Sequence, residues 1–274
     1  MQFRSDINRI IFSILIALAI ASTGLANDAA EKDAQENKKP PSWSFKLPIW
    51  VPSYSGDFAI GDTEFGGEPA DNIWSRLFDS GTDIDLYFSA IVTYAWERWK
   101  IQGYVLAGKF NQSVTFTLSD EEIINVSINP IIPRFYGSYR LADWGQMDGQ
   151  SRVELWLLGG IRYYSIEVTL PQTEEVGTLG RRADWFDPIL GIIIPYRFSP
   201  RWKLEVSGDV GGFGVGSKLS WLTIIELEYK VSRLFGIELG WNSLNIDYEG
   251  TVQNERFVYD AIATGPTLTF GFHF

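Results

Sequence analysis

The sequence predicts an all-β chain: a transmembrane, antiparallel, up-and-down β-barrel of about ten strands, with eight or twelve as the neighbouring counts. Three observations predict it. Apolar side chains recur at every second position over long runs, the period of a strand with one greasy face. The chain opens on a stretch built like an export signal. It closes on "TLTFGFHF", which sets Leu268, Phe270, Phe272 and Phe274 on one side of a terminal strand. In water such a row invites aggregation, so something other than water must face it.

Composition agrees. Aromatic residues make up 15% of the 274 residues and charged residues 21%, a pairing that suits sheets with one apolar and one charged face. A net charge of −11 argues against nucleic acid, which needs a basic stripe to displace phosphate counterions. The absence of cysteine excludes disulfides and thiolate zinc sites. No cofactor or metal motif is present in the sequence.

The elements follow in order. Residues 1–26 carry Arg4 and Arg9 in a polar lead, an apolar run from Ile10 to Ala21, and small Gly24 and Ala26, the layout of a signal peptide cleaved after Ala26. The run is too short for a membrane anchor, which needs roughly 20 apolar residues. Cleavage removes Arg4, Arg9 and Asp6 and leaves 21 basic against 33 acidic residues, a net of −12. Residues 27–42 are charged, aperiodic and end in Pro40 and Pro41, a flexible periplasmic leader. The barrel is expected over 43–274.

Within it, alternation and turn signals place strands near 82–96, 99–118, 122–141, 151–170, 184–198, 201–213, 218–231, 234–248 and 256–274. Nine strands do not close a barrel with both termini on one side, so 43–60 supplies the tenth despite Pro48 and Pro52. The connections at 97–98, 199–201 and 232–233 read as tight, and those at 61–81, 171–183 and 248–256 as long, the asymmetry of an outer-membrane barrel. Residues 68–81, "EPADNIWSRLFDSG", read as one short helix in a long extracellular loop, with Asp71 as cap and Gly81 as stop. A soluble β-sandwich also alternates, but its shorter strands give no reason for an apolar terminal row.

Parity then assigns faces. Asp83, Asp85, Arg152, Glu154, Arg162, Lys203, Glu205, Asp209, Glu226, Glu228 and Glu238 are expected to point into the lumen, joined by Lys100, Arg140 and Lys230. In a barrel of this size they either pair and fill the interior or line a narrow conduit; a packed lumen is favoured, since open channels belong to barrels of about 16 strands. Trp96, Trp99, Phe198, Trp202, Tyr229, Phe235 and Phe274 cluster beside the tight turns as an interfacial girdle.

Two other features invite chemistry. His273 is the only histidine, and by parity it points inward at the periplasmic end, away from lipid of the outer leaflet, so no histidine-based lipid enzyme is expected. Asp184 and Asp187 in "RRADWFD" read as loop carboxylates near the extracellular rim. The string "GDVGGFGVGS", 208–217, lacks the Lys-Ser/Thr ending of a phosphate loop and reads as a bulge, a tight hairpin or a close approach of another segment.

The region 43–274, and "DWFDPILGIIIPYRFSPRWKLEVSGDVGGFGVGSKLSW" within it, resembles the small outer-membrane barrels of Gram-negative bacteria, of the OmpA, OmpX and OmpW kind, in a subgroup without an established activity. The resemblance implies an outer-membrane location, contact with membrane lipid and lipopolysaccharide, and recognition of the C-terminal strand, ending on Phe274, by the barrel-assembly machinery. For function the sequence leaves a structural barrel or a narrow, gated pore with a charged lumen. A surface-binding barrel acting through extracellular loops on an unidentified ligand is the alternative. A lipid-modifying enzyme comes third.

Overall fold

The computed structural model of the chain describes residues 41–67, 87–117, 121–145, 151–170 and 179–274. Thirteen strands form one antiparallel sheet that closes on itself. They are β1 (Ser42–Trp50), β2 (Ser53–Ile60), β3 (Thr63–Gly67), β4 (Tyr87–Trp96), β5 (Trp99–Gly108), β6 (Phe110–Thr117), β7 (Glu121–Gly145), β8 (Arg152–Leu170), β9 (Leu179–Arg197), β10 (Trp202–Gly211), β11 (Leu219–Lys230), β12 (Phe235–Val252) and β13 (Glu255–His273).

The wall has ten positions. β1 and β2 occupy one of them, because both pair with β13, and Val51 N–H donates to Pro266 O across the break. Pro52 falls in that break, where no ladder donor is needed. β3 and β4 share the second position, β5 and β6 the third, and β7 to β13 take one each. Closure is made at the chain's end: Phe274 N–H donates to Trp43 O and Trp43 N–H to Phe274 O. This end is called the terminal end below, and the opposite one the far end.

The observed strands follow the predicted ones closely, with two corrections at the far end. The connection expected to be long at 248–256 is instead a two-residue turn, Gln253–Asn254, and the one expected at 61–81 begins with a two-residue turn, Gly61–Asp62, followed by β3, its remainder lying outside the described residues. Left-handed backbone at Gly61, Gln253 and Asn254, with φ of 62°, 52° and 67°, is what a tight hairpin demands. The helix expected at 68–81, and Asp83 and Asp85 after it, lie outside the described residues.

Height varies around the wall. β8 has 19 residues, which at about 3.4 Å each and about 40° tilt reach about 50 Å along the axis, twice the ~25 Å of an apolar band. β10, with 10 residues, has enough for the band alone. The side chains show where that band ends. On β12, Leu239 and Trp241 face outward and exposed, while Leu244 and Ile246 face inward and buried. The apolar parity has switched from odd to even positions. β13 switches likewise, from Leu268, Phe270 and Phe272 outward to Phe257, Tyr259, Ala261 and Ala263 inward, and β8 from Leu157, Ile161 and Tyr163 outward to Tyr164, Ile166 and Val168 inward.

The physical reason is the solvent on the outside. Where the outer face is greasy the interior is largely polar, as suits a wall immersed in lipid, apart from a small buried cluster of Tyr136, Trp156, Leu158, Ile189 and Ile193. Where the outer face is wet the interior becomes an ordinary hydrophobic core, built around Trp50, Tyr54, Phe58, Tyr164, Trp185 and Tyr259. The barrel is inside-out at the terminal end and soluble-like at the far end.

Candidate functional site

The terminal half of the interior is filled with charge. At its mouth Arg152 is paired to Asp143 and, at 2.9 Å, to Glu154 Oε1; Arg140 reaches the same Glu154 oxygen at 3.4 Å. Trp156 Nε1 donates to Glu154 Oε2 at 2.8 Å, and the Lys100 ammonium lies 3.7 Å from a Trp156 ring centroid. A second layer centres on four glutamates. Lys46 Nζ donates to Glu238 at 2.7 Å and Glu226 at 3.4 Å, and Lys203 Nζ binds Glu228 at 2.9 Å and Glu205 at 3.2 Å. His273 Nε2 lies 3.1 Å from Glu228 Oε1, inside the barrel at the terminal end.

A third layer stands at mid-height. Arg162 is paired to Asp209 Oδ1 and donates to Tyr164 Oη at 3.2 Å, while Arg134 lies 2.9 Å from Asp209 Oδ2 without the angle of a hydrogen bond. The Arg162 and Asp209 side chains are each only 1% exposed. Burying three charges this completely is tolerable only because each has an opposite partner; a lone one would be costly to desolvate.

Of the inward charges expected from parity, Arg152, Glu154, Arg162, Lys203, Glu205, Asp209, Glu226, Glu228 and Glu238 all lie in these layers. Sequence reasoning missed Lys46 and Arg134. Each stands alone among apolar or proline neighbours, in "FKLP" and "IPRF", where alternation of charge gives no warning. The aromatic residues expected as a girdle make separate local ring contacts at the terminal end. Trp96 meets Tyr94 at 5.3 Å, Trp99 meets Tyr139 at 4.7 Å, Trp202 meets Tyr229 at 4.8 Å and Phe198 at 6.5 Å, and Phe235 meets Phe272 at 5.4 Å.

Asp184 and Asp187 are corrected: both sit in β9, not in a loop. Asp184 faces outward and accepts from Tyr163 Oη at 2.9 Å. Asp187 is fully buried and clamps the β10–β11 connection, accepting from Ser217 N–H and Ser220 Oγ, both at 2.7 Å. Trp185 Nε1 donates to Ser217 Oγ at 2.9 Å. The glycine string is explained by this clamp. A Cβ on Gly216 would strike Phe186 O and Asp187 Oδ1, so only glycine lets the connection lie flush on β9.

Outside, above the band, Asp57, Asp260 and Asp247 stand directly opposite one another across β2, β13 and β12. Asp57 and Asp260 border a shallow groove of about 370 Å³ with Ser55, Asn245 and Ile262. Partial burial, then Asp247 and Asp57, hold the Asp260 carboxyl above its ordinary value. Nearby, Lys218 binds Glu249 at 2.7 Å, and Arg256 binds Glu249 and Glu64, each at 2.9 Å. Among the described residues no group of three or more histidines and carboxylates is placed to hold a metal.

No protein-family model and no curated protein sequence matches the chain. Solved structures do. The outer-membrane protease OmpT of Escherichia coli aligns with a TM-score of 0.59 at 8% identity, over 88% of this chain and 99% of that one. The transport unit of the autotransporter AIDA-I from Escherichia coli aligns at 0.40 and 12% identity over 92% and 96% of the two chains. OprG of Pseudomonas aeruginosa aligns at 0.36 and 14% identity over 88% and 99%. The likeness to OmpT is one of fold: an outer-membrane β-barrel built on the same closed antiparallel wall.

Proposed function

We propose that this outer-membrane-type β-barrel resides in the bacterial outer membrane as a closed structural barrel, whose work is done at its surface and not through its lumen. The observation that carries the reading is the blocked interior. A solute crossing the barrel would have to part Arg162 and Arg134 from the buried Asp209 and then pass the packed aromatic core beyond them. Separating such a desolvated set leaves charges unpaired, at about 3–5 kcal/mol. That barrier supports a closed ground state over the narrow, gated pore that the charged lumen alone suggests.

Surface binding is the natural use of such a barrel, because the wall beyond the band is a rigid, wet scaffold. We propose no catalytic role. OmpT is a protease, but at 8% identity only the fold carries over, and this chain's one histidine, His273, is held on Glu228 at the terminal end. The test is planar-bilayer recording of the purified full chain, with fractionation of cell envelopes alongside. Electrical silence, and recovery with the outer membrane, are expected. Steady conductance steps that vanish on Glu205→Gln with Asp209→Asn would overturn closure and restore the conduit.

A further inference from the structure

The connection between β10 and β11 sits at an unusual height. Gly211 is level with Ile189 and Leu219 with Asp247, and the connection between them lies against residues 185–188 of β9, so residues 179–184 of β9 and 248–252 of β12 continue past this hairpin. Behind the connection, Trp185, which also donates to Ser217 Oγ, and Tyr248 stack their rings 3.8 Å apart in the core. The wall is therefore lower at β10 and β11 than at the neighbouring β9 and β12, and the tip of their connection stands at the level of the band's rim.

The tip is apolar there. Phe213 is 57% and Val215 66% exposed, directly continuous with Val210 and Phe186, which are exposed on the lipid-facing side. A loop in water would not show two such side chains together without cause. Its shape is held, not floppy. Left-handed backbone at Gly212, Phe213 and Gly214 turns the chain, Gly214 N–H donates to Ser217 O, and Asp187 fixes Ser217 from within.

We infer that the β10–β11 tip is a preformed wedge that inserts Phe213 and Val215 into the bilayer, at the boundary of headgroups and acyl chains in the leaflet on the far side. The occupant is lipid and not a second protein, because the patch runs unbroken into the lipid-facing band. Since the loop is already rigid, burying the two side chains costs little ordering entropy. The strand tip lies where an amphipathic anchor is expected to sit. This inference rests on the barrel's being in a membrane.

Spin labelling tests it, and the chain's lack of cysteine makes every label unique. Nitroxides are placed one at a time at Phe213→Cys, Val215→Cys, Leu239→Cys in the band and Asp57→Cys on the wet wall, in the full chain reconstituted in phosphatidylcholine–phosphatidylglycerol vesicles. All four side chains are on the outer surface, so the substitutions leave the interior intact. The ratio of collision with oxygen to collision with a water-soluble nickel chelate is expected to be severalfold higher at 213, 215 and 239 than at 57. Ratios at 213 and 215 equal to that at 57, with 239 still high, would sink the wedge and leave the membrane barrel standing. A low ratio at 239 as well would sink both.

Discussion

Asp209 faces two guanidinium groups in a space closed to water, and the consequences of losing it are lopsided. Asp209→Ala would leave Arg134 and Arg162 buried without a counter-charge, at about 3–5 kcal/mol. The expected readout is a marked fall in the denaturant midpoint of unfolding; an unchanged midpoint would show that the pair is not desolvated. Replacing all three residues with apolar ones of similar size should recover most of that loss. Asp260 works in the opposite sense. Its carboxyl is held above the ordinary value by burial and by Asp247 and Asp57, so it takes up a proton more readily folded than unfolded. Stability is therefore expected to rise as pH falls through the carboxylate range at this site. Asp260→Asn should raise stability near neutrality by about 0.2–1 kcal/mol, the scale of a cross-strand like-charge pair, and should flatten that part of the pH profile. A destabilised Asp260→Asn protein would contradict the repulsion. At this scale the sequence revealed inward charges wherever they alternate with apolar residues, as in "WKLEVSGDV". It hid Arg134, because one charge in an apolar run carries no period.

The β10–β11 hairpin shows what a single element needs in order to stop short of its neighbours. Its connection has to be tied down, and Asp187, Ser217 and Ser220 do this from inside the wall. Gly216→Val should break that fit, because the added atoms meet backbone at Phe186 and the carboxylate of Asp187. The expected result is a loop that comes free. A nitroxide at Val215→Cys should become more mobile in the Gly216→Val background and the loop should become open to protease, while strand content stays unchanged. A spectrum identical to that of the parent would show that the close approach is not required. Most strands were legible because each has one greasy face over its lower part. The ends of β12 and β9 were not, and the reason is physical. Past Trp241 and before Phe186 the apolar parity reverses, so a reader following one face sees the pattern end at 248 or begin at 184 although the strand continues. The turn at Gln253–Asn254 also lacks the glycine that marks a tight hairpin, and its left-handed backbone cannot be seen in composition.

That reversal governs the whole molecule, since it records two solvents along one wall. In the band the apolar side chains meet fluid lipid, which can flow into any space a truncation leaves. Beyond the band they meet one another in a close-packed core, which cannot. The same chemical deletion should then cost different amounts at two heights of one strand. Leu239→Ala, at a position 64% exposed on the outer face, loses only the transfer of about three carbons from water, roughly 2 kcal/mol or less. Ile246→Ala, seven residues along the same strand β12 and buried in the upper core, loses that and leaves a cavity, about 2–5 kcal/mol in all. Reversible unfolding in lipid vesicles or detergent, with midpoint and slope compared for both variants, measures the difference. If Leu239→Ala were as costly as Ile246→Ala, its side chain would be packed against protein, and the terminal half would not be facing lipid. If it were neutral, the band would be facing water. Only an intermediate cost, below that of Ile246→Ala and above zero, fits a wall that exchanges one solvent for the other at the parity reversal.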